Sequence, residues 1–270
     1  MKLGTFTGVT TTGELNVTKP ISGFIFCSSK NLNDIVDEVV TVQIERTNGN
    51  AQIINRQPLR DLLQLSTSGS IVFSYATFAT NAIVDLTIDG GGLFLAENER
   101  IKLTLDGLNE HETYEVYGEE CPFTTHKIYA YEKKVCLIGE SVRSIDVSMY
   151  DKVLISNMGK VVELRQKFPN GNQTLHTQLE LYLNQITSDP VGYITHEGVI
   201  QSVVNDGIVM PTELISSYEI TKQEAFQVNL LCRKPASIYW TNTGFQNPRP
   251  TVPSNTGILS NNPRFTVKAE

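Results

Sequence analysis

The 270-residue chain carries 22 basic and 29 acidic residues, a net charge of −7, and 19 glycines and 11 prolines spread along its length. A chain of this size buries a large core in one or two domains. The acidic balance and the lack of a Lys/Arg-rich block exclude tracking of a phosphate backbone, so direct nucleic-acid binding is not expected, and give no drive for adsorption to anionic lipid.

The Thr-rich start, Met1 to Asn16, has neither the charged opening nor the apolar stretch of a secretory signal, and Lys2 alone makes no basic arm. The mature chain is expected to begin here. Apolar runs such as Gly23 to Cys27 fall well short of the ~20 residues that span a bilayer, so a soluble chain is expected. An opening strand is read at Lys19–Phe26, and Val40–Glu45 alternates apolar and polar residues before the turn Asn48-Gly49-Asn50. A short helix follows at Pro58–Leu63: proline suits a first helical position, and Leu59, Leu62 and Leu63 make one apolar stripe. Ala82–Asp89 reads as a strand with Asp85 and Asp89 on its wet face, opposite Ala82, Val84, Leu86 and Ile88. The turn Gly90-Gly91-Gly92 ends it, and Asn98–Leu105 and Thr113–Tyr117 supply two more strands. The polar, Pro-broken Gly118–Pro122 marks a boundary before a strand around Ile128–Tyr131.

The second half repeats this order. Val162-Glu163-Leu164 leads to Asn170-Gly171-Asn172, 122 residues after the first Asn-Gly-Asn turn, and then to Leu179, Tyr182, Leu183 and Ile186, with Leu179 lying 120 residues after Leu59. Gln223–Leu230 is matched to the strand at Asn98, offset 125, and Ser237–Thr241 to Thr113–Tyr117, offset 124. Order and near-constant spacing predict a duplication, with units at 1–122 and 123–270. A unit of this length suits eight strands of about six residues, so the expected fold is all-β: two tandem eight-stranded jelly-roll β-sandwiches, each with a short helix. An immunoglobulin-like sandwich accommodates that helix less well. Asn247–Pro253, rich in proline, should run extended, either as a C-terminal arm to a neighbouring subunit or as a loop on its own barrel.

No catalytic motif stands out. Cys27, Cys121, Cys136 and Cys232 lack metal or redox spacing and read as isolated core thiols of a reducing cytosol; His111, His126, His176 and His196 lack ligand or nucleophile spacing. Asp85 and Asp89 would lie about 13 Å apart on a strand, beyond the roughly 5–9.5 Å of glycosidase carboxylate pairs. Gly90–Gly92 is followed by no Lys-Ser/Thr and no helix, as a phosphate loop requires. Carboxylates concentrate between Asp106 and Glu120, at Glu110, Glu112, Glu115 and Glu119; a solvated acidic segment is expected, yet a structural Ca²⁺ would be sought there first. The sequons at Asn16 and Asn172 have no meaning without a secretory route. No catalytic or cofactor-binding residue is therefore named, and metal ligands stay unknown.

The strand Lys19–Phe26, the strand Val42–Glu45 with its Asn-Gly turn, and the helix Leu59–Leu63 after the first hairpin resemble the double jelly-roll major capsid proteins of tailless, icosahedral, membrane-containing bacteriophages, of the small corticovirus type. The resemblance implies a virion protein assembled in the host cytoplasm. It further implies a homotrimer whose six barrels make a pseudo-hexagonal tile, in contact with neighbouring capsomers and with minor capsid or vertex proteins, over an internal viral membrane. A carbohydrate- or receptor-binding spike module on the same sandwich is the alternative, with Tyr239 or Trp240 stacking on sugar; Trp240 on an alternating strand reads first as core. A jelly-roll hydrolase or cupin-like metal enzyme would need clustered His and carboxylates that the sequence does not display.

Overall fold

The computed structural model describes residues 1–46, 49–67, 71–75, 78–188, 192–194, 200–202, 207–238 and 245–246. The first half runs β1 (Lys2–Thr7), β2 (Leu15–Val17), β3 (Ile21–Ser28), β4 (Val39–Arg46), β5 (Gly49–Pro58), α1 (Leu59–Thr67), β6 (Ile71–Tyr75), β7 (Phe78–Asp85), β8 (Gly92–Leu93), β9 (Arg100–Asp106) and β10 (Thr113–Glu120). The second runs β11 (Thr124–Thr125), β12 (Lys127–Cys136), β13 (Val142–Asp146), β14 (Lys152–Ile155), β15 (Val161–Lys167), β16 (Gln173–Thr177), α2 (Gln178–Ser188), β17 (Gly192–Ile194), β18 (Ile200–Ser202), β19 (Ile208–Pro211), β20 (Ser217–Lys222), β21 (Val228–Ile238) and β22 (Phe245–Gln246).

Two sheets face each other in each half. The first half pairs β1-β10-β3-β7 with β2-β9-β4-β5, and the second pairs β12-β21-β14-β19 with β13-β20-β15-β16. These are the same order twice: the first, last, third and sixth strands of each unit make one sheet, and the second, seventh, fourth and fifth make the other. That is the jelly-roll order, and the helix falls between the fifth and sixth strands of both units.

Period-two burial builds the cores. On β4 and β9, Val42 and Ile44 stand opposite Leu103 and Ile101, all buried, while intervening residues face outward. Each such aliphatic side chain is worth roughly 1.5–3 kcal/mol. A second core gathers Val153, Ile155, Leu164, Tyr218, Ile220, Leu230 and Cys232, all from the second half. The first is not confined to its own half: Ile128, Tyr131, Leu154, Leu231 and Ala236 join it.

Several sequence expectations shift. Residues 2–7, read only as a polar start, form the first strand, and Ile21–Ser28 is the third strand rather than the opening one. Short Thr-rich β1 stands at the end of its sheet, paired among the described residues with β10, and its outward side chains are polar. Gln223–Gln227 is an exposed turn, closed by Phe226 N–H donating to the Gln223 carbonyl, and not a strand; the seventh strand of the unit is Ser217–Lys222, with Tyr218, Ile220 and Lys222 inward. Lys222 hides that alternation from a sequence reader, since it lays its stem inward and donates Nζ to the Phe226 carbonyl. The match at Ser237–Thr241 therefore falls at the end of β21, with 239–241 outside the described residues. Ala82–Asp89 breaks after Asp85, and Ile88 is exposed rather than core. Pro58 ends β5 and α1 begins at Leu59.

Candidate functional site

The most developed polar geometry lies where the two barrels meet. β12 runs parallel beside β5, with Tyr131 opposite Ile54, and joins the two inner sheets into one continuous layer. α1 lies on β14 and β21 of the second barrel. In return, β17 of the second unit pairs in parallel with β6 of the first. Both faces of β14 and β21 are thus covered, which is why Val153-Leu154-Ile155 and Leu230-Leu231-Cys232 are unbroken apolar runs.

Three polar clusters fix the joint. Asp61 on α1 accepts a hydrogen bond from Ser156 Oγ at 2.8 Å; burial pushes its carboxyl above the ordinary range, against the pull of Ser156, Arg60 and Lys133. Arg233 on β21 donates Nε and Nη2 to Asp151 at 3.0 and 2.5 Å, approaches Asp85 at 3.5 Å, and lies 3.9 Å over the Tyr129 ring. Burial raises the Asp85 carboxyl and Arg233 draws it back. Tyr131 Oη donates to the Asp85 carbonyl at 2.7 Å, and Glu132 accepts from Tyr150 at 2.8 Å and from Lys234. The two barrels also approach closely at Gly207, where a Cβ would come within 2.7 Å of Gln64 Oε1.

Asp61 gives a signed pH prediction. Its folded pKa is raised, so the folded state holds the proton more tightly and stability falls as pH rises from the ordinary aspartate range through the raised value, then levels off. Asp85 acts with the same sign. Asp61→Asn keeps an oxygen for Ser156 and removes the buried charge, so it should be more stable than the parent at neutral pH, by about 1 kcal/mol, and less so below that window. Urea unfolding at pH 4 and pH 8 reads this; an Asn variant equally destabilised at both would refute it.

The residues singled out for chemistry do not converge. Asp85 is taken by the joint, while Asp89 accepts from Thr125 Oγ1 at 3.0 Å in the bend before β8. Gly90 adopts φ +72° in that bend and Gly92 enters the parallel pairing of β8 with β11. His126 lies against Phe94, His111 is exposed, His176 is on β16, and His196 lies outside the described residues. All four cysteines are free thiols; Cys27, Cys136 and Cys232 are buried, and burial pushes Cys232 up to about 12. Most carboxylates of 106–120 are engaged one by one: Asp106 with Thr11 and Arg56, Glu112 with Ser29, Glu115 with Lys2 and Thr5, Glu119 with Ser22, Glu120 with Lys19, while Glu110 is exposed and contributes its backbone carbonyl to Gly8 N–H. Among the described residues, no three of His, Cys, Asp and Glu come together to hold a metal, and no helix is long and apolar enough to cross a membrane. Tyr239, Trp240 and the segment Asn247–Pro253 lie outside the described residues.

Neither Arg233 nor Asp61 stands out in the sequence. The available signal is indirect: apolar runs without alternation, at 153–155 and 230–232, mark strands buried on both faces and hence a second body packed outside the barrel.

No family model and no curated protein matches the chain. Solved structures do. The major capsid protein P2 of bacteriophage PM2 aligns over 90% of this chain and 97% of its own, with a TM-score of 0.56 and 8% identity. The STIV MCP, from Sulfolobus Turreted Icosahedral Virus, aligns over 87% of this chain and 94% of its own, with a TM-score of 0.50 and 12% identity. With the strand order repeated in both halves, this chain has the double jelly-roll fold of those viral major capsid proteins.

Proposed function

We propose that the chain is a major capsid protein of a tailless icosahedral bacteriophage, built into the virion in the host cytoplasm. Three copies form a homotrimer whose six barrels make a pseudo-hexagonal tile, and the tiles cover an internal membrane and meet neighbouring capsomers and minor capsid or vertex proteins. The units are the barrels at 1–122 and 123–270. The observation that carries this reading is the joint: two barrels of one strand order are locked side by side through β5, α1, β12, β14 and β21, the arrangement a tile edge needs. The role is structural and non-enzymatic, and free energy comes from burying barrel walls rather than from a reacting site. It includes neither nucleic-acid binding nor a bound cofactor; a structural Ca²⁺, if the shell uses one, would be sought first among the carboxylates of 106–120.

Light scattering on the purified chain tests the proposal. Three times the 30.0 kDa chain, about 90 kDa, is the expected mass. A species that stays monomeric at high micromolar concentration overturns it.

A further inference from the structure

β13 ends one sheet of the second barrel and is paired, among the described residues, with β20 alone. Its register is fixed at both ends: Lys222 N–H donates to the Ser141 carbonyl at 2.9 Å, and Val147 N–H to the Ser216 carbonyl at 3.0 Å. In an antiparallel ladder such hydrogen-bonded pairs alternate with pairs whose backbone groups point the other way. Arg143 and Ile145 therefore bond to β20, while the N–H and C=O of Val142, Ser144 and Asp146 face the open edge. Four of the five residues of β13 are exposed, and only Ile145 turns into the core.

A row of open backbone groups is a template for another strand, and edges are commonly blunted by shortness, proline or charge. The counterpart of β13 in the first barrel, β2, is three residues long and is followed closely by Pro20. β13 has five residues without glycine or proline, and its one cation is drawn back onto the preceding turn, Arg143 Nη1 donating to Glu140 Oε1 at 2.8 Å. Charge also sets it apart. Of the strands β1, β2, β13, β16, β18 and β19, which end the larger sheets, β13 alone carries a carboxylate, Asp146. Asp146 accepts from Ser148 with Oδ1, and among the described residues Oδ2 stays open.

The segment after Gln246 lies outside the described residues, and its sequence holds a match to this edge. Residues 264–268 read Arg-Phe-Thr-Val-Lys, with Phe265 and Val267 on one face of a strand and Arg264, Thr266 and Lys268 on the other. Laid antiparallel on β13 with Thr266 opposite Ser144, this segment sets Arg264 opposite Asp146 and Phe265 opposite Ile145. An ion pair, a hydroxyl pair and an apolar pair result, all kinds that stabilise neighbouring strands. That direction enters the edge at Asp146, the end of the barrel at which β22 pairs with Ser237 and Ile238. Residues 247–263 reach up to about 55 Å when extended, well beyond the width of four strands spaced about 4.8 Å.

We infer that Arg264–Lys268 adds to the open edge of β13 in the same chain, as a fifth strand of the sheet β13-β20-β15-β16. The inference concerns an edge within one chain and does not depend on the trimer proposed above.

Hydrogen exchange on the full-length protein tests it, comparing the parent with Thr266→Pro, which removes the N–H that would bond to the Ser144 carbonyl. The Val142 and Ser144 amides should exchange at least about 10-fold more slowly in the parent, with the other strands of the barrel unchanged. Equal exchange of these amides in the two proteins overturns the docking. Ser144→Cys/Thr266→Cys provides a second readout, since a hydrogen-bonded antiparallel pair places Cα atoms about 5.5 Å apart, within reach of a disulfide. Mild oxidation should give a link within one chain, seen as faster migration on a denaturing gel without reductant and as a joined peptide by mass spectrometry, which neither single variant gives. Links formed only between chains assign the segment to a neighbouring copy and overturn the same-chain docking; absence of any link between these two positions overturns the contact itself. Should Thr266→Pro fail to fold, the disulfide decides.

Discussion

Arg233→Ala is expected to lower the unfolding free energy by about 2–3 kcal/mol, and the melting temperature by about 4–10 °C. Arg233 is only 5% exposed and its guanidinium serves three groups: Asp151 by paired hydrogen bonds, Asp85 at the end of β7 in the first barrel, and the face of Tyr129. Alanine leaves two carboxylates facing each other without their cation, across a space the planar side chain had filled. Removing one partner of a fully buried pair costs about 3–5 kcal/mol. The lower figure applies because Asp151 and Asp85 keep 27% and 37% of their side-chain surface in water. Arg233→Lys retains the charge but not the fork or the ring stacking, and should recover about half of the loss. Urea melts of the three proteins measure this; a loss below about 0.5 kcal/mol for the alanine variant would mean that packing alone holds the barrels together.

How far the sequence carries depends on whether a residue's partner is close along the chain. The β4–β5 hairpin and the helix Leu59–Leu63 are local: alternation and i, i+3, i+4 spacing settle them, and the leucines are buried as expected, although Gly49 and Asn50, read as part of the turn, open β5 and Asn48 lies outside the described residues. The same spacing at Leu179, Tyr182 and Leu183 also makes a helix, but there Leu181 turns inward while Leu179 and Leu183 face out. Periodicity reports an apolar face without saying whether its cover belongs to the same chain. The duplication was legible at the two helices, and slipped at the last two strands, because the inward Lys222 hides the alternation of β20 while the exposed turn at Gln223–Gln227 runs on into the apolar β21.

Buried charge was the least legible layer. Glu38 sits in the core, accepting from Lys30 Nζ at 2.7 Å and from Tyr114 Oη at 2.5 Å, partners 8 and 76 residues away. Asp61 reads in sequence as the acidic first turn of a helix, a surface feature, and is instead held against Ser156, 95 residues on. Such groups are specified by tertiary neighbours, and no pattern in their own segment distinguishes them from wet ones.

Gly107→Ala should be far more damaging to stability than the same change at Gly139. Gly107 follows β9 and has φ +74°, a conformation that costs an alanine about 1 kcal/mol by itself. In addition, a Cβ there would stand 2.3 Å from the Asp37 carbonyl oxygen and 3.0 Å from its carbon. Those are backbone atoms just before β4, so relief requires moving a strand end rather than turning a side chain. Strain and displacement together should cost about 3–4 kcal/mol. Gly139→Ala is the control: φ is +88° with nothing within 4 Å of the added carbon, so only the conformational part, about 1 kcal/mol, should appear. Urea melts of the two variants measure the difference, and equal losses for both glycines would contradict the clash with Asp37.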